Sequence, residues 1–254
     1  AGTDPEKLQR VPNLVGLKNE VVVPRHSRNV YDHAIRMLGV KMITVNSLDE
    51  LEKAFNPRTA MAMVLASPEA DREPLSTETV CRVAKAHGVP VIVDAAAEIL
   101  TIPNKHLKAG ATMVAYSGGK CLRGPQAAGL LLGKKEYVQA AWQHSAPHHA
   151  FGRALKCGKE EIMGMLAAVE MWVKRDYQAE FKTWESWLAS MAKTVEAVPT
   201  VTTQVRQPNS LSNHAPTLTI RWDAAKVGIT GREVEKYLYE SDPRIVLGGA
   251  SGEP

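Results

Sequence analysis

Between Glu20 and Gly133, short apolar runs alternate with amphipathic segments. The runs Glu20–Val23, Lys41–Val45, Ala60–Ala66, Val89–Val93, Met113–Tyr116 and Gly129–Leu132 predict strands. They are nearly continuous in apolar character rather than alternating, as strands covered by helices on both faces should be. The segments between them carry helix signals. Ser47-Leu-Asp-Glu50 predicts a capping box, and Ser76 opens a helix whose stripe Val80, Val83, Ala84 stops at Gly88. Strand and helix in alternation predict βαβ units and a mainly parallel sheet, so this part of the chain is α/β.

The texture then changes. Glu160 to about Val198 reads as a long helical stretch, weakly interrupted near Tyr177, that would connect two domains. Beyond it lie strand candidates Thr200–Val205, Thr217–Trp222 and Arg244–Leu247, and a helix opened by the capping box Thr230-Gly-Arg-Glu233. Gln207–Ser212 reads as a polar loop. The expected division is a large domain over 1–158, connecting helices over 159–198 and part of a small α+β domain over 199–254.

The chain has 254 residues, 44% of them hydrophobic and 23% charged, enough to bury a substantial core. Its net charge of +4 comes from basic residues scattered among acidic ones, which reads as a solvated surface, with an anionic ligand or RNA as the alternatives. No run of 18 apolar residues and no signal-peptide pattern is present, and the expectation is a cytoplasmic protein without membrane contact. The three cysteines are far apart and lack a C-x-x-C, which predicts reduced thiols. His144, His148 and His149 have no carboxylate or cysteine at helical spacing among them, so a polar loop is expected there and no metal site. Ala1 is not a Met, and the sequence stops at Pro254 just after the strand candidate near Ile245, which leads to the expectation of a portion of a longer chain.

In a doubly wound sheet, ligands bind beyond the carboxyl ends of the strands. Two strand ends carry chemistry. Val89–Val93 ends in Asp94 followed by three alanines, and Met113–Tyr116 ends in Ser117-Gly-Gly-Lys120. An acid at one end and a lysine at the next suit pyridoxal 5′-phosphate (PLP), whose ring nitrogen must stay protonated to accept electrons and whose aldehyde needs an amine. A carboxylate beside the ring nitrogen favours the protonated form, at about 1.4 kcal/mol per pKa unit. Asp94 is the candidate for that acid and Lys120 for the amine. Ala96 would let the ring lie against the backbone, and the Ser117 hydroxyl could reach the phosphate, with Gly118 and Gly119 permitting close backbone approach. Each residue alone has a plain alternative: an Asp after a parallel strand is often a helix cap, and a lone S-x-x-K is weaker still.

The segments Val91-Ile-Val-Asp-Ala-Ala-Ala-Glu98 and Val114-Ala-Tyr-Ser-Gly-Gly-Lys-Cys-Leu-Arg-Gly-Pro-Gln-Ala-Ala-Gly129 resemble the two cofactor segments of the selenocysteine-synthase-like family. That family belongs to the fold-type I PLP enzymes and includes bacterial L-seryl-tRNA(Sec) selenium transferase and D-glucosaminate-6-phosphate ammonia-lyase relatives. Weaker similarity runs from Thr3-Asp-Pro-Glu-Lys7 through Lys18-Asn-Glu-Val21 and Arg28-Asn-Val-Tyr-Asp-His33 to about Met171. The resemblance implies an aspartate-aminotransferase-like large domain, with its N-terminal part upstream of this sequence. It also implies Lys120 as the Schiff-base lysine, Asp94 as the pyridinium partner and Ser117 at the phosphate. Ser67 falls at the 3-hydroxyl side of the ring, although a Ser-Pro turn accounts for it equally well. Arg25, His26 and Arg123 are candidates for substrate contact, and Gln126 for a subunit boundary.

The DAAAE and GGK forms look more like the lyase branch than the tRNA-dependent branch. The expectation is therefore an enzyme removing the α-proton of an amino-acid or amino-sugar-acid substrate and eliminating a β-substituent, working as a homodimer or higher oligomer without nucleic acid. The alternatives are selenium transfer to seryl-tRNA(Sec), and a non-catalytic fragment that keeps the scaffold.

Overall fold

A computed structural model describes residues 1–249. The described chain divides into two compact units, one formed by residues 1–175 with 209–214 and the other by 176–208 with 215–249.

The first unit is built on a six-stranded sheet of order β2-β1-β3-β4-β5-β6. Its strands are β1 (Glu20–Pro24), β2 (Lys41–Val45), β3 (Thr59–Leu65), β4 (Val91–Asp94), β5 (Met113–Ser117) and β6 (Gly129–Gly133). The first five are parallel and β6 runs antiparallel to β5. The six apolar runs therefore all form strands, displaced by at most two residues at their ends. The central β1 is buried along its whole length, whereas the edge strands β2 and β6 begin in exposed residues. Helices in this unit are α1 (Pro5–Arg10), α2 (His33–Arg36), α3 (Leu48–Ala54), α4 (Thr77–Ala86), α5 (Lys105–Lys108), α6 (Lys135–Gln143) and α7 (Lys159–Lys174).

Both faces of the sheet are covered, which is why its strands read as continuous apolar runs. On one face Val21, Val23 and Met63 pack with Ile35, Val40 and Ile92. Val22, Val64, Val93 and Val114 are fully buried, as are Leu51 of α3 and Val80 of α4. Each such side chain contributes about 1.5–3 kcal/mol through burial. Helix starts follow the expected caps with one change. The Ser47 hydroxyl accepts the Glu50 N–H, but the Glu50 carboxylate reaches the Asn46 N–H at 2.7 Å instead of closing a box on Ser47. Ser76 accepts the Thr79 N–H, and Gly88 follows α4 at φ 65°.

The second unit comprises α8 (Tyr177–Val195), α9 (Ala224–Val227), α10 (Gly231–Glu240) and an antiparallel pair, β7 (Thr202–Arg206) with β8 (Thr217–Arg221). This is α+β. The helical stretch after Glu160 is two helices, with the break at Arg175–Asp176, where the Asp176 carboxylate caps α8 through the Ala179 N–H. Thr230 and Glu233 form the expected capping box. The strand expected over Arg244–Leu247 does not form: the segment is irregular, and its one ladder-like contact is the Ile245 N–H on the Leu238 carbonyl of α10. With no neighbouring strand among the described residues, an apolar run of four has nothing to pair with. No helix among the described residues is long and apolar enough to cross a membrane.

Candidate functional site

Chain order reverses between β1 and β3, and the parallel register brings the carboxyl ends of β1, β3, β4 and β5 to one edge of the sheet. Leu65 is level with Asp94, and Asp94 with Ala115. The residues singled out at strand ends therefore share that edge: Arg25 and His26 after β1, Ser67 after β3, Asp94 and Ala96 at and after β4, and Ser117 and Lys120 at and after β5. Such an edge, at a reversal of strand order, is where open α/β sheets bind ligands.

Asp94 is half-buried, and its Oδ1 accepts the Ala96 N–H at 3.0 Å, which folds the three alanines back beside the carboxylate. Its other oxygen meets no donor among the described residues. Lys120 is exposed, in the turn after β5, and its ammonium makes no ion pair among the described residues. Arg123, exposed and at φ 56°, closes that turn with its N–H on the Lys120 carbonyl at 2.9 Å. A non-glycine residue at this φ is uncommon and is held there by its surroundings.

Gly118 and Gly119 are required by the protein's own packing. A Cβ at Gly118 would lie 2.7 Å from the Ala128 carbonyl oxygen and 2.8 Å from Met165 Sδ of α7, and one at Gly119 would strike the Gln126 side chain. The protein itself fills the space these glycines leave. Gln126 donates to the Gly119 carbonyl at 3.2 Å, so its amide braces the Lys120 turn.

The remaining candidates are engaged locally. Ser67 accepts the Ala70 N–H at 3.3 Å, as a turn residue does. His26 uses both ring nitrogens, one on the Leu75 carbonyl at 3.1 Å and one on the Ser27 hydroxyl at 3.1 Å. Ser27, fully buried, also accepts the Leu65 N–H and so bridges the ends of β1 and β3. Arg25 Nε donates to Asn46 at 3.2 Å, leaving its terminal nitrogens without a partner among the described residues.

Sequence reasoning missed a second layer. Glu98, four residues after Asp94, is buried and bonded to buried His106 at 2.6 Å, and His106 Nδ1 has no hydrogen-bond partner among the described residues. An acid at the end of an apolar run was the available signal. Tyr116 is buried and accepts from the Asn104 amide at 2.8 Å, and burial pushes its hydroxyl pKa up. A cavity of about 700 Å³, bordered by Pro12, Val15, Lys18, Asn19 and Arg58, lies at the amino ends of β1 and β3, away from these groups.

A family model for L-seryl-tRNA selenium transferase matches residues 46–233. The chain is 29% identical over 245 residues to D-glucosaminate-6-phosphate ammonia lyase of Salmonella typhimurium, covering 92% of this chain and 63% of that protein. It is 27% identical over 222 residues to a 5′-C-glycyluridine monooxygenase-decarboxylase of a Streptomyces species, covering 83% of this chain and 54% of the relative. A solved structure of D-glucosaminate-6-phosphate ammonia-lyase superposes with a TM-score of 0.81 at 28% identity, over 96% of this chain and 66% of that one. The chain thus spans between about half and two thirds of the length of these relatives.

Proposed function

Because the chain belongs to the L-seryl-tRNA selenium transferase family and has the α/β, aspartate-aminotransferase-like fold of type I, we propose that it acts as a PLP-dependent enzyme on an amino-acid or amino-sugar-acid substrate, by lyase-type α,β-elimination. The observation that carries this reading is the pairing of β4 with β5, which sets an unneutralised carboxylate and an unneutralised amine at neighbouring strand ends. The donor set fits the cofactor: an acid for the ring nitrogen, an amine for the aldehyde, small side chains at Ala95–Ala97 and a hydroxyl at Ser117.

PLP, when bound, supplies an electron sink for negative charge at the substrate α-carbon. Asp94 Oδ2 would hold the proton on the ring nitrogen, while Oδ1, on the Ala96 N–H, keeps the carboxylate oriented. Lys120 Nζ would be the amine that holds the aldehyde carbon and, when free, the base placed to take the substrate's α-proton. Ala96 would let the ring lie against the backbone, Ser117 would hold the phosphate, and the Ser67 hydroxyl, which accepts the Ala70 N–H, would serve the 3-hydroxyl side. Arg25 and Arg123 would orient the substrate's acid group, with His26, whose ring nitrogens are engaged by Leu75 and Ser27, beside them. A cytoplasmic homodimer and a small-molecule substrate complete the reading. The long match to an ammonia lyase supports elimination, and the family's description supports the alternative of transfer to seryl-tRNA.

Titrating the protein with PLP tests this. A visible absorption band is expected to grow to saturation and to be missing in Lys120→Ala, with ammonia released from D-glucosaminate 6-phosphate. A chain without the band overturns the cofactor assignment. A band with no ammonia from that substrate or from serine overturns the elimination.

A further inference from the structure

The Asp94 and Lys120 segments are joined at one carbonyl. Ala97 O accepts the Cys121 thiol at 3.2 Å and the Asn213 N–H at 2.8 Å. Cys121 is the residue after Lys120, and Ala97 is three residues after Asp94, so this carbonyl ties the lysine turn to the acid's segment. Asn213 belongs to the stretch 209–214, which returns to the first unit and lies along the same segment. There Ser212 bridges to Glu98, and the Ile99 N–H bonds to the Leu211 carbonyl at 2.9 Å. Asn213 holds φ 46°, a conformation asparagine tolerates better than most residues. Part of the polar loop read from the sequence is thus a strap along the acid's segment.

The thiol is suited to this task. Burial pushes the Cys121 pKa up, against the lowering effect of the His214 backbone N–H and nearby Arg175, so at neutral pH it is an S–H donor. Arg175 reaches the Cys121 carbonyl at 3.5 Å. On the other side of the turn, α7 packs Met165 Sδ against Gly118 and Gly124. The turn is thus held by α7 as well, and its thiol adds a link to the Asp94 segment beyond the β4–β5 pairing.

Resting on the cofactor reading above, we propose that Cys121 is a positioning residue: with the 209–214 strap it pins Ala97 and so fixes the Asp94 segment against the Lys120 turn before the cofactor arrives. A site ordered in advance binds more tightly than one that must be ordered by its ligand.

The test compares unaltered protein with Cys121→Ala, Cys121→Ser and Asn213→Pro. Losing one hydrogen bond of this kind corresponds to a roughly tenfold weaker PLP dissociation constant in Cys121→Ala. The same variant is expected to shift the pH midpoint of the visible band, because the acid and amine move relative to each other. Cys121→Ser, which keeps a donor, is expected to recover both to within about threefold. Asn213→Pro removes the second N–H and cannot adopt φ 46°. In cofactor-free protein it is expected to raise iodoacetamide labelling of Cys121, followed by peptide mapping, while Cys157 labelling stays unchanged. Equal PLP affinity and band midpoint in Cys121→Ala overturn the positioning role and leave the cofactor reading standing. Unchanged Cys121 labelling in Asn213→Pro overturns the strap. A missing band in the unaltered protein overturns both readings together.

Discussion

The two edges of the parallel sheet use charge in opposite ways. At the amino edge, the buried carboxylate of Glu20 accepts the Asn56 amide at 2.7 Å and Arg58 Nε at 2.9 Å, with Arg58 Nη2 at 2.7 Å. The Asn56 hydrogen bond, helped by the Arg58 charge, holds the Glu20 carboxyl below its ordinary range. At the carboxyl edge, Asp94 has only the N–H of its own turn, and Lys120 has no counter-charge among the described residues. A charge satisfied inside the protein serves the fold, and one left unsatisfied at a strand end is available to a ligand. The contrast separates the substitutions that should damage stability from those that should damage function.

Asp94→Asn is expected to produce the largest effect. It keeps the shape of the turn but removes the charge, and loss of about 3 kcal/mol of transition-state stabilisation lowers turnover more than a hundredfold. The melting temperature should barely move. A turnover within a few-fold of the original would make Asp94 a turn residue only.

Glu20→Ala comes next and inverts the pattern. It strips Asn56 and Arg58 of a buried acceptor and is expected to cost about 1–3 kcal/mol in denaturant unfolding, with PLP affinity unchanged. The sign of its pH dependence follows from the lowered pKa. Glu20 contributes stability at pH values above the ordinary carboxylate value of 4.5 and loses it as pH falls through the lowered folded value. The stability gap between the original and Glu20→Gln should therefore hold at neutral pH and close below about pH 4.5. A gap that widens in acid would contradict the pairing.

The smallest effect is expected at Asp49 and Lys53 of α3, an ion pair whose side chains are 70% and 73% exposed. Breaking it with Asp49→Asn should change stability by less than about 0.5 kcal/mol. A loss as large as that of Glu20→Ala would show that burial is not what gives the Glu20 ion pair its weight in stability.

Much of this was legible in the sequence, for identifiable reasons. Strands buried on both faces print themselves as apolar runs, so β1 to β6 could be read to within two residues. Caps at Ser76 and Thr230 are local and equally readable. Arg244–Leu247 misled because an apolar run of four does not reveal whether a partner strand lies beside it. The strand-end rule pointed to Asp94 and Lys120, and the structure puts both at one edge of the sheet. It could not find Cys121 on Ala97, 24 residues away, or the returning strap, because those contacts depend on chain paths that no local pattern encodes. Gly118 and Gly119 were noticed for the right backbone property, but sequence does not say that Met165 packs against the first and Gln126 against the second.

Lys120 is proposed as the amine that binds the cofactor aldehyde. Borohydride reduction of the PLP-loaded protein, followed by digestion and mass mapping of the modified lysine, tests it most directly. The account predicts stoichiometric reduced label on Lys120 and loss of that label in Lys120→Ala. Label at a different lysine, persisting when Lys120 is replaced, would contradict it.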